Sequence, residues 1–155
     1  MFKTTKYFAL SGSAVIVFML AIAATSTPAN AESFKNISTG FCLDSNTNRR
    51  VYTNGCQNGN NFQQWKLSRT TAGGGAIMFK NVSTGFCLDS NTNRHVYTNG
   101  CQNGNTFQAW RIIGGGNRYM LKNVATGFCL DSNTNRRVYT NGCQNGNNFQ
   151  QWLGK

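Results

Sequence analysis

The sequence predicts an all-β protein in which three similar units pack into one barrel. Three observations lead there. One stretch recurs as near-copies at Phe34–Trp65, Phe79–Trp110 and Leu121–Trp152; the first two copies differ at four positions, the first and third at three. Helical periodicity is absent after residue 31, where short β-type runs alternate with turn residues instead. A repeat of this length cannot bury its own apolar face, so the three must pack together.

Each repeat reads as four strands. Phe34-Lys35-Asn36-Ile37 precedes the turn Ser38-Thr39-Gly40, and Phe41-Cys42-Leu43-Asp44 precedes the polar loop Ser45–Arg49. Val51-Tyr52-Thr53 runs into Asn54-Gly55 and a Gly/Asn-rich stretch, and a fourth strand spans Phe62–Leu67. Alternation places Leu43, Val51 and Thr53 inward, with Asp44, Tyr52 and Asn54 outward and exposed. The tryptophans Trp65, Trp110 and Trp152 recur at repeat spacing and read as a packing layer. Ser68–Ala76 and Ile113–Arg118 carry Gly triplets and are too short to separate domains. Residues 32–155 therefore form one domain, with repeats at about 33–70, 76–114 and 118–155.

Residues 1–31 read differently. Lys3 and Lys6 precede the apolar run Ala14–Ala24, and Ala29-Asn30-Ala31 follows with an A-x-A pattern. This is the pattern of a secretory signal peptide cut after Ala31, and the run is too short for a transmembrane span of about 20 residues. Without Lys3 and Lys6, 13 of the 15 basic side chains remain against Glu32, Asp44, Asp89 and Asp131, a charge of +9. Such a surface attracts anionic partners. Export directs that attraction toward acidic glycans, cell-wall polymers or anionic lipid rather than nucleic acid.

All six cysteines follow the leader, as Cys42/Cys56, Cys87/Cys101 and Cys129/Cys143. Fifteen pairings are open to six cysteines, and the threefold repetition favours the one that closes each repeat on itself. Thiolate metal sites need clustered short spacings, often with histidine; the one histidine, His95, aligns with Arg50 and Arg137. No metal or cofactor is expected. Asn36-Ile37-Ser38 and Asn81-Val82-Ser83 are glycosylation sequons, relevant only in a eukaryotic host.

The repeats resemble the ricin-type β-trefoil lectin family. The resemblance rests on Cys-Leu-Asp at Cys42-Leu43-Asp44 and its copies, on the second cysteine, and on Gln-x-Trp at Gln63–Trp65, Gln108–Trp110 and Gln150–Trp152. The pattern is also similar to trefoil modules attached to some bacterial toxins. The resemblance implies a β-trefoil of twelve strands, a six-stranded barrel closed by three hairpins, and pseudo-threefold symmetry. It also implies a shallow sugar site on each repeat, with galactose-type ligands common.

On that resemblance Asp44, Asp89 and Asp131 accept hydrogen bonds from sugar hydroxyls. They are the only acidic residues in the repeats, and an ionised carboxylate makes the stronger bond. The alternative is that each caps its own turn. The family usually places an aromatic two positions before the second cysteine. Here Asn54, Asn99 and Asn141 stand there, and Tyr52, Tyr97 and Tyr139 stand four positions ahead. Tyr can then stack on the sugar while Asn donates and accepts. Where many members have Asn before Gln-x-Trp, this chain has Phe62, Phe107 and Phe149. Asn61 and Asn148 are candidates for the lost polar contact, and Thr106 in their place implies a weaker second site. Gln63, Gln108 and Gln150 are expected to orient the aspartates, the alternative being a purely structural role. Arg49-Arg50, Arg94-His95 and Arg136-Arg137 lie in the loop that family sites use as a rim, and guanidinium groups suit acidic glycans.

These readings converge on a secreted, disulfide-closed lectin with up to three equivalent sites. The alternative is the receptor-binding component of a secreted toxin complex, with a toxin or enzyme as partner chain. With one histidine, no free cysteine expected and one carboxylate per repeat, no acid–base pair is apparent, so catalysis is not expected.

Overall fold

The structure, a computed structural model, describes residues 30–155. The expected leader lies outside the described residues, apart from Asn30 and Ala31. Thirteen strands follow one another: β1 (Ala31–Glu32), β2 (Phe34–Asn36), β3 (Cys42–Ser45), β4 (Val51–Asn54), β5 (Trp65–Arg69), β6 (Ile77–Asn81), β7 (Cys87–Ser90), β8 (Val96–Asn99), β9 (Trp110–Gly115), β10 (Arg118–Asn123), β11 (Cys129–Ser132), β12 (Val138–Asn141) and β13 (Trp152–Gly154).

Twelve strands were expected, and the thirteenth comes from a break at Ser33. Glu32 pairs with Trp65 on one side of the break, and Asn36 pairs with Trp152 on the other. Ser33 exchanges backbone hydrogen bonds with Lys155 (3.0 Å each way). Residues 31–36 thus act as one barrel strand that meets both its neighbours. The ring continues through β5, β6, β9, β10 and β13 and closes on β2. The Gly-rich linkers form the turns of β5–β6 and β9–β10, as the sequence implies.

Three hairpins, β3–β4, β7–β8 and β11–β12, cap this ring. Each uses the same register: Cys42↔Asn54, Leu43↔Thr53, Asp44↔Tyr52 and Ser45↔Val51 in the first, and the equivalent residues in the others. The core is built from equivalent positions. Trp65, Trp110 and Trp152 are fully buried, with Phe34, Phe79, Leu121, Leu43, Leu88 and Leu130 beside them. Each indole Nε1 donates to the carbonyl of the leucine before the aspartate (3.1, 3.0 and 3.2 Å). The tryptophans therefore anchor the strand that carries the aspartate, and satisfy the polar atom such burial requires. The disulfides Cys42–Cys56, Cys87–Cys101 and Cys129–Cys143 close each repeat on itself, at Cα separations of 5.0 Å.

Two expectations need correction. The fourth strand begins at Trp65, because a single 3-10 turn occupies Asn61–Gln63. Asn60 Oδ1 accepts from the Phe62 amide (3.0 Å) and caps that turn. The sequon asparagines are not glycan acceptors in the folded chain. Asn36 and Asn81 are fully buried, and their Nδ2 groups donate to the carbonyls of Phe149 (2.8 Å) and Phe62 (2.7 Å). They fasten neighbouring repeats together.

Candidate functional site

The hairpin register sets Asp44 opposite Tyr52, Asp89 opposite Tyr97 and Asp131 opposite Tyr139. The turn at Asn61–Gln63 sends Gln63 inward beneath them. Gln63 Nε2 donates to Asp44 Oδ2 (3.0 Å) and to the Gly55 carbonyl (2.9 Å), while its Oε1 accepts from the Gln57 amide (2.9 Å). Gln108 holds Asp89, and Gln150 holds Asp131, by the same three bonds. Each glutamine therefore bridges the hairpin, the disulfide loop and the carboxylate.

The aspartates were expected to be exposed, and they are not: relative exposures are 2%, 3% and 3%. Alternation directs them outward, but the glutamine below and the residues around them cover most of their surface. Burial raises the carboxyl pKa of Asp44 and Asp89 above the ordinary 3.8, against the lowering effect of nearby glutamine, serine amide and asparagine groups. In both, Oδ1 is buried beside the amide of the following serine. In the third repeat Asp131 Oδ1 accepts from the Ser132 amide (2.8 Å). Burial and the neighbouring carboxylate also raise the phenol pKa of Tyr52, Tyr97 and Tyr139.

Above the carboxylates the surface is concave. In the third repeat a depression of about 200 Å³ is lined by Asp131, Tyr139, Asn141, Asn147 and Phe149, among others. In the second, one of about 220 Å³ is lined by the equivalent Asp89, Tyr97, Asn99, Asn105 and Phe107. Asp44, Tyr52, Asn54, Asn60 and Phe62 hold these positions in the first repeat. The structure thus brings together the aspartate, tyrosine and asparagine that the sequence suggested.

It does not bring in Asn61 or Asn148. Both side chains are exposed on the outside of the turn, where their carbonyls accept from the Ser83 and Ser38 amides (3.2 Å each). Thr106 is exposed at the equivalent position and lies outside the second depression, so the substitution gives no reason for a weaker site there. The residues one place earlier, Asn60, Asn105 and Asn147, and the phenylalanines one place later take the position instead. The copies carry that signal: Asn60, Asn105 and Asn147 are identical, whereas their followers vary.

The first arginine of each loop does not stand free on a rim. Arg49 Nη1 donates to Asn99 Oδ1 (3.1 Å), Arg94 to Asn141 (3.0 Å) and Arg136 to Asn54 (3.1 Å). Each guanidinium also lies 5.1 Å from the ring centroid of Phe86, Phe128 or Phe41. All three arginines have positive φ, 63°, 66° and 64°, a conformation that costs a non-glycine residue free energy. Each repeat thereby grips the asparagine at the end of the next repeat's hairpin, in a closed ring. The same Oδ1 accepts from the following glycine amide (3.0 Å). Its lone pairs are occupied, which leaves the asparagine only its Nδ2 group to donate.

Among the described residues no group of His, Cys, Asp and Glu could hold a metal ion, and no helix is long and apolar enough to cross a membrane. Residues 31–152 match the family model of the ricin-type beta-trefoil lectin domain. No curated protein matches the chain. Solved structures share its fold. The designed threefold-symmetric protein ThreeFoil is 24% identical, with a TM-score of 0.69 over 80% of this chain and 96% of that one. SeviL, solved with asialo-GM1 saccharide bound, is 16% identical, with a TM-score of 0.68 over 81% and 96%. A chain of the cytolethal distending toxin from Actinobacillus actinomycetemcomitans is 17% identical, with a TM-score of 0.70 over 83% and 92%.

Proposed function

The chain belongs to the ricin-type beta-trefoil lectin domain family, a carbohydrate-binding fold, and from that premise we propose that it is a secreted lectin with three equivalent sugar sites and no catalytic role. One observation carries the reading: in every repeat a glutamine fixes an outward-directed carboxylate beneath Tyr and Asn. In the second and third repeats the carboxylate lines the floor of the depression, and an ionised carboxylate is the stronger acceptor for a sugar hydroxyl. The neighbouring asparagine Nδ2 donates to a second hydroxyl. Tyr and Phe offer the apolar face of the ring something to stack on. The depressions are open and smaller than the roughly 300–1,000 Å³ of pockets that enclose drug-sized ligands, which suits one terminal sugar unit.

A single shallow site of this kind binds near the millimolar range, about −4 kcal/mol. Three on one rigid body raise avidity on a clustered glycan surface. Galactose-type and acidic glycans are both candidates. A glycan array read at low and high salt tests the proposal: retention of particular glycans supports it, and salt-sensitive retention identifies acidic ones. No retention of any glycan contradicts it.

A second reading, the receptor-binding component of a toxin complex, draws on the fold shared with a chain of cytolethal distending toxin. Co-purification with a second, catalytic chain distinguishes it from a lectin that acts alone.

A further inference from the structure

Around the threefold axis the loops before β4, β8 and β12 interlock. Tyr52 bridges to Arg137, Arg50 to Tyr97 and His95 to Tyr139. The amides of Thr53, Thr98 and Thr140 donate to the carbonyls of Arg136, Arg49 and Arg94 (3.0, 2.9 and 3.0 Å). Each boundary between repeats therefore carries two side chains from the position after the gripping arginine. The boundary of the first and second repeats has Arg50 and His95; that of the second and third has His95 and Arg137. Only the boundary of the third and first repeats has two arginines, Arg137 and Arg50.

A groove of about 320 Å³ opens at that boundary, with Arg50, Arg136 and Arg137 in its walls and Val51 and Val138 beside them. No acidic residue lines it. Arg136 is held by Asn54 and Phe41. Arg50 and Arg137 make hydrogen bonds through their main chains, to Asn46 and Asn133, and among the described residues neither guanidinium has a hydrogen bond or an ion pair. Two exposed, like-charged groups in one open groove repel one another unless an anion lies between them. The guanidinium fork matches two oxygens of an oxyanion at once.

We propose that this groove is an anion site, in which Arg50 and Arg137 together take a tetrahedral oxyanion, a sulfate or phosphate group free or esterified to a sugar. It is separate from the carboxylate-floored depressions and stands whether or not those bind sugar. Threefold symmetry would give three such sites; His95 leaves one.

The test follows the arginine Nε–Hε NMR signals of the chain as sodium sulfate is added, with ionic strength matched by chloride. Arg50 and Arg137 should shift together and saturate. Arg137→Gln should weaken the Arg50 response about tenfold or more. Arg137→Lys, which keeps the charge but not the fork, should also weaken it, and covers the case in which the glutamine variant unfolds. His95→Arg should give the introduced guanidinium a saturable response of its own. Competition by galactose 6-sulfate beyond that of free sulfate assigns the group to a glycan; equal competition assigns it to the free ion. Equal shifts at Arg69 and Arg118 would reduce the effect to general screening and overturn the proposal. An Arg50 response unchanged by Arg137→Gln would overturn it as well.

Discussion

Arg94 of the second repeat donates to Oδ1 of Asn141 in the third, at 3.0 Å, across the boundary between them. The contact recurs around the ring, so the asparagine at each depression is oriented by the repeat before it. Arg94→Ala should lower stability by about 1–2 kcal/mol through the lost hydrogen bond and cation–π contact. Its further effect is directional: sugar affinity should fall at the third repeat and stay unchanged at the second, whose asparagine is held by Arg49. Chemical-shift titrations that resolve Tyr97 from Tyr139 would show it, and equal loss at both sites would contradict the ring.

The glutamines should be more costly to lose than any exposed side chain. Gln63→Leu leaves the Gln57 amide, the Gly55 carbonyl and the Asp44 carboxylate without partners, a loss of about 3 kcal/mol. Gln63→Glu places a second carboxyl against a buried one. Its destabilisation should be large at neutral pH and should shrink on acidification, as one of the two takes a proton. Urea unfolding at two pH values measures both.

The pH dependence of the parent chain has a sign set by Asp44 and Asp89. Their folded-state pKa lies above the ordinary 3.8 because burial disfavours the ion. A carboxyl raised in the folded state costs stability above its folded pKa, and the cost disappears as pH falls through that value. Melting temperature should therefore gain a rising contribution on acidification toward 3.8, and Asp44→Asn with Asp89→Asn should remove it. Sugar binding at these repeats should weaken over the same window, since the ionised form is the better acceptor. Thermal melts and titrations at matched pH test the two signs together.

The disulfides should map as Cys42–Cys56, Cys87–Cys101 and Cys129–Cys143. Replacing the second pair by serine should cost about 3 kcal/mol, the loop-closure value for a loop near 15 residues. Peptide mapping checks the pairing, and denaturant unfolding checks the magnitude.

The repeat made most of the fold legible. Three copies of one strand–turn pattern gave the hairpins, the tryptophan layer and the closure of each repeat. Local rules fell short where a side chain serves another segment. Asp44 reads as exposed from alternation, but Gln63, 19 residues away, covers it from below. Asn36 reads as a sequon, but its amide reaches a carbonyl 113 residues away. The break at Ser33 follows from its pairing with Lys155 at the far end of the chain. The arginine loop reads as a rim because nothing nearby in sequence reveals that Arg49 meets Asn99 and Phe86. The family position before Gln-x-Trp points to Asn61, but the turn that Asn60 caps turns Asn61 away and sets Asn60 near the hairpin instead.

The central claim is that the three carboxylates are the sugar acceptors. Asparagine is the informative replacement, since it preserves shape and the glutamine contact while removing the charge, whereas alanine would leave Gln63, Gln108 and Gln150 short of a partner. Isothermal titration of the Asp44→Asn, Asp89→Asn and Asp131→Asn triple variant, against a sugar retained by the parent chain, tests the claim most directly. The expected result is loss of sugar binding with a cooperative melt and far-ultraviolet circular dichroism unchanged. A folded triple variant that binds the same sugar with parental affinity and stoichiometry would contradict the claim, and would assign the aspartates to holding the hairpin alone.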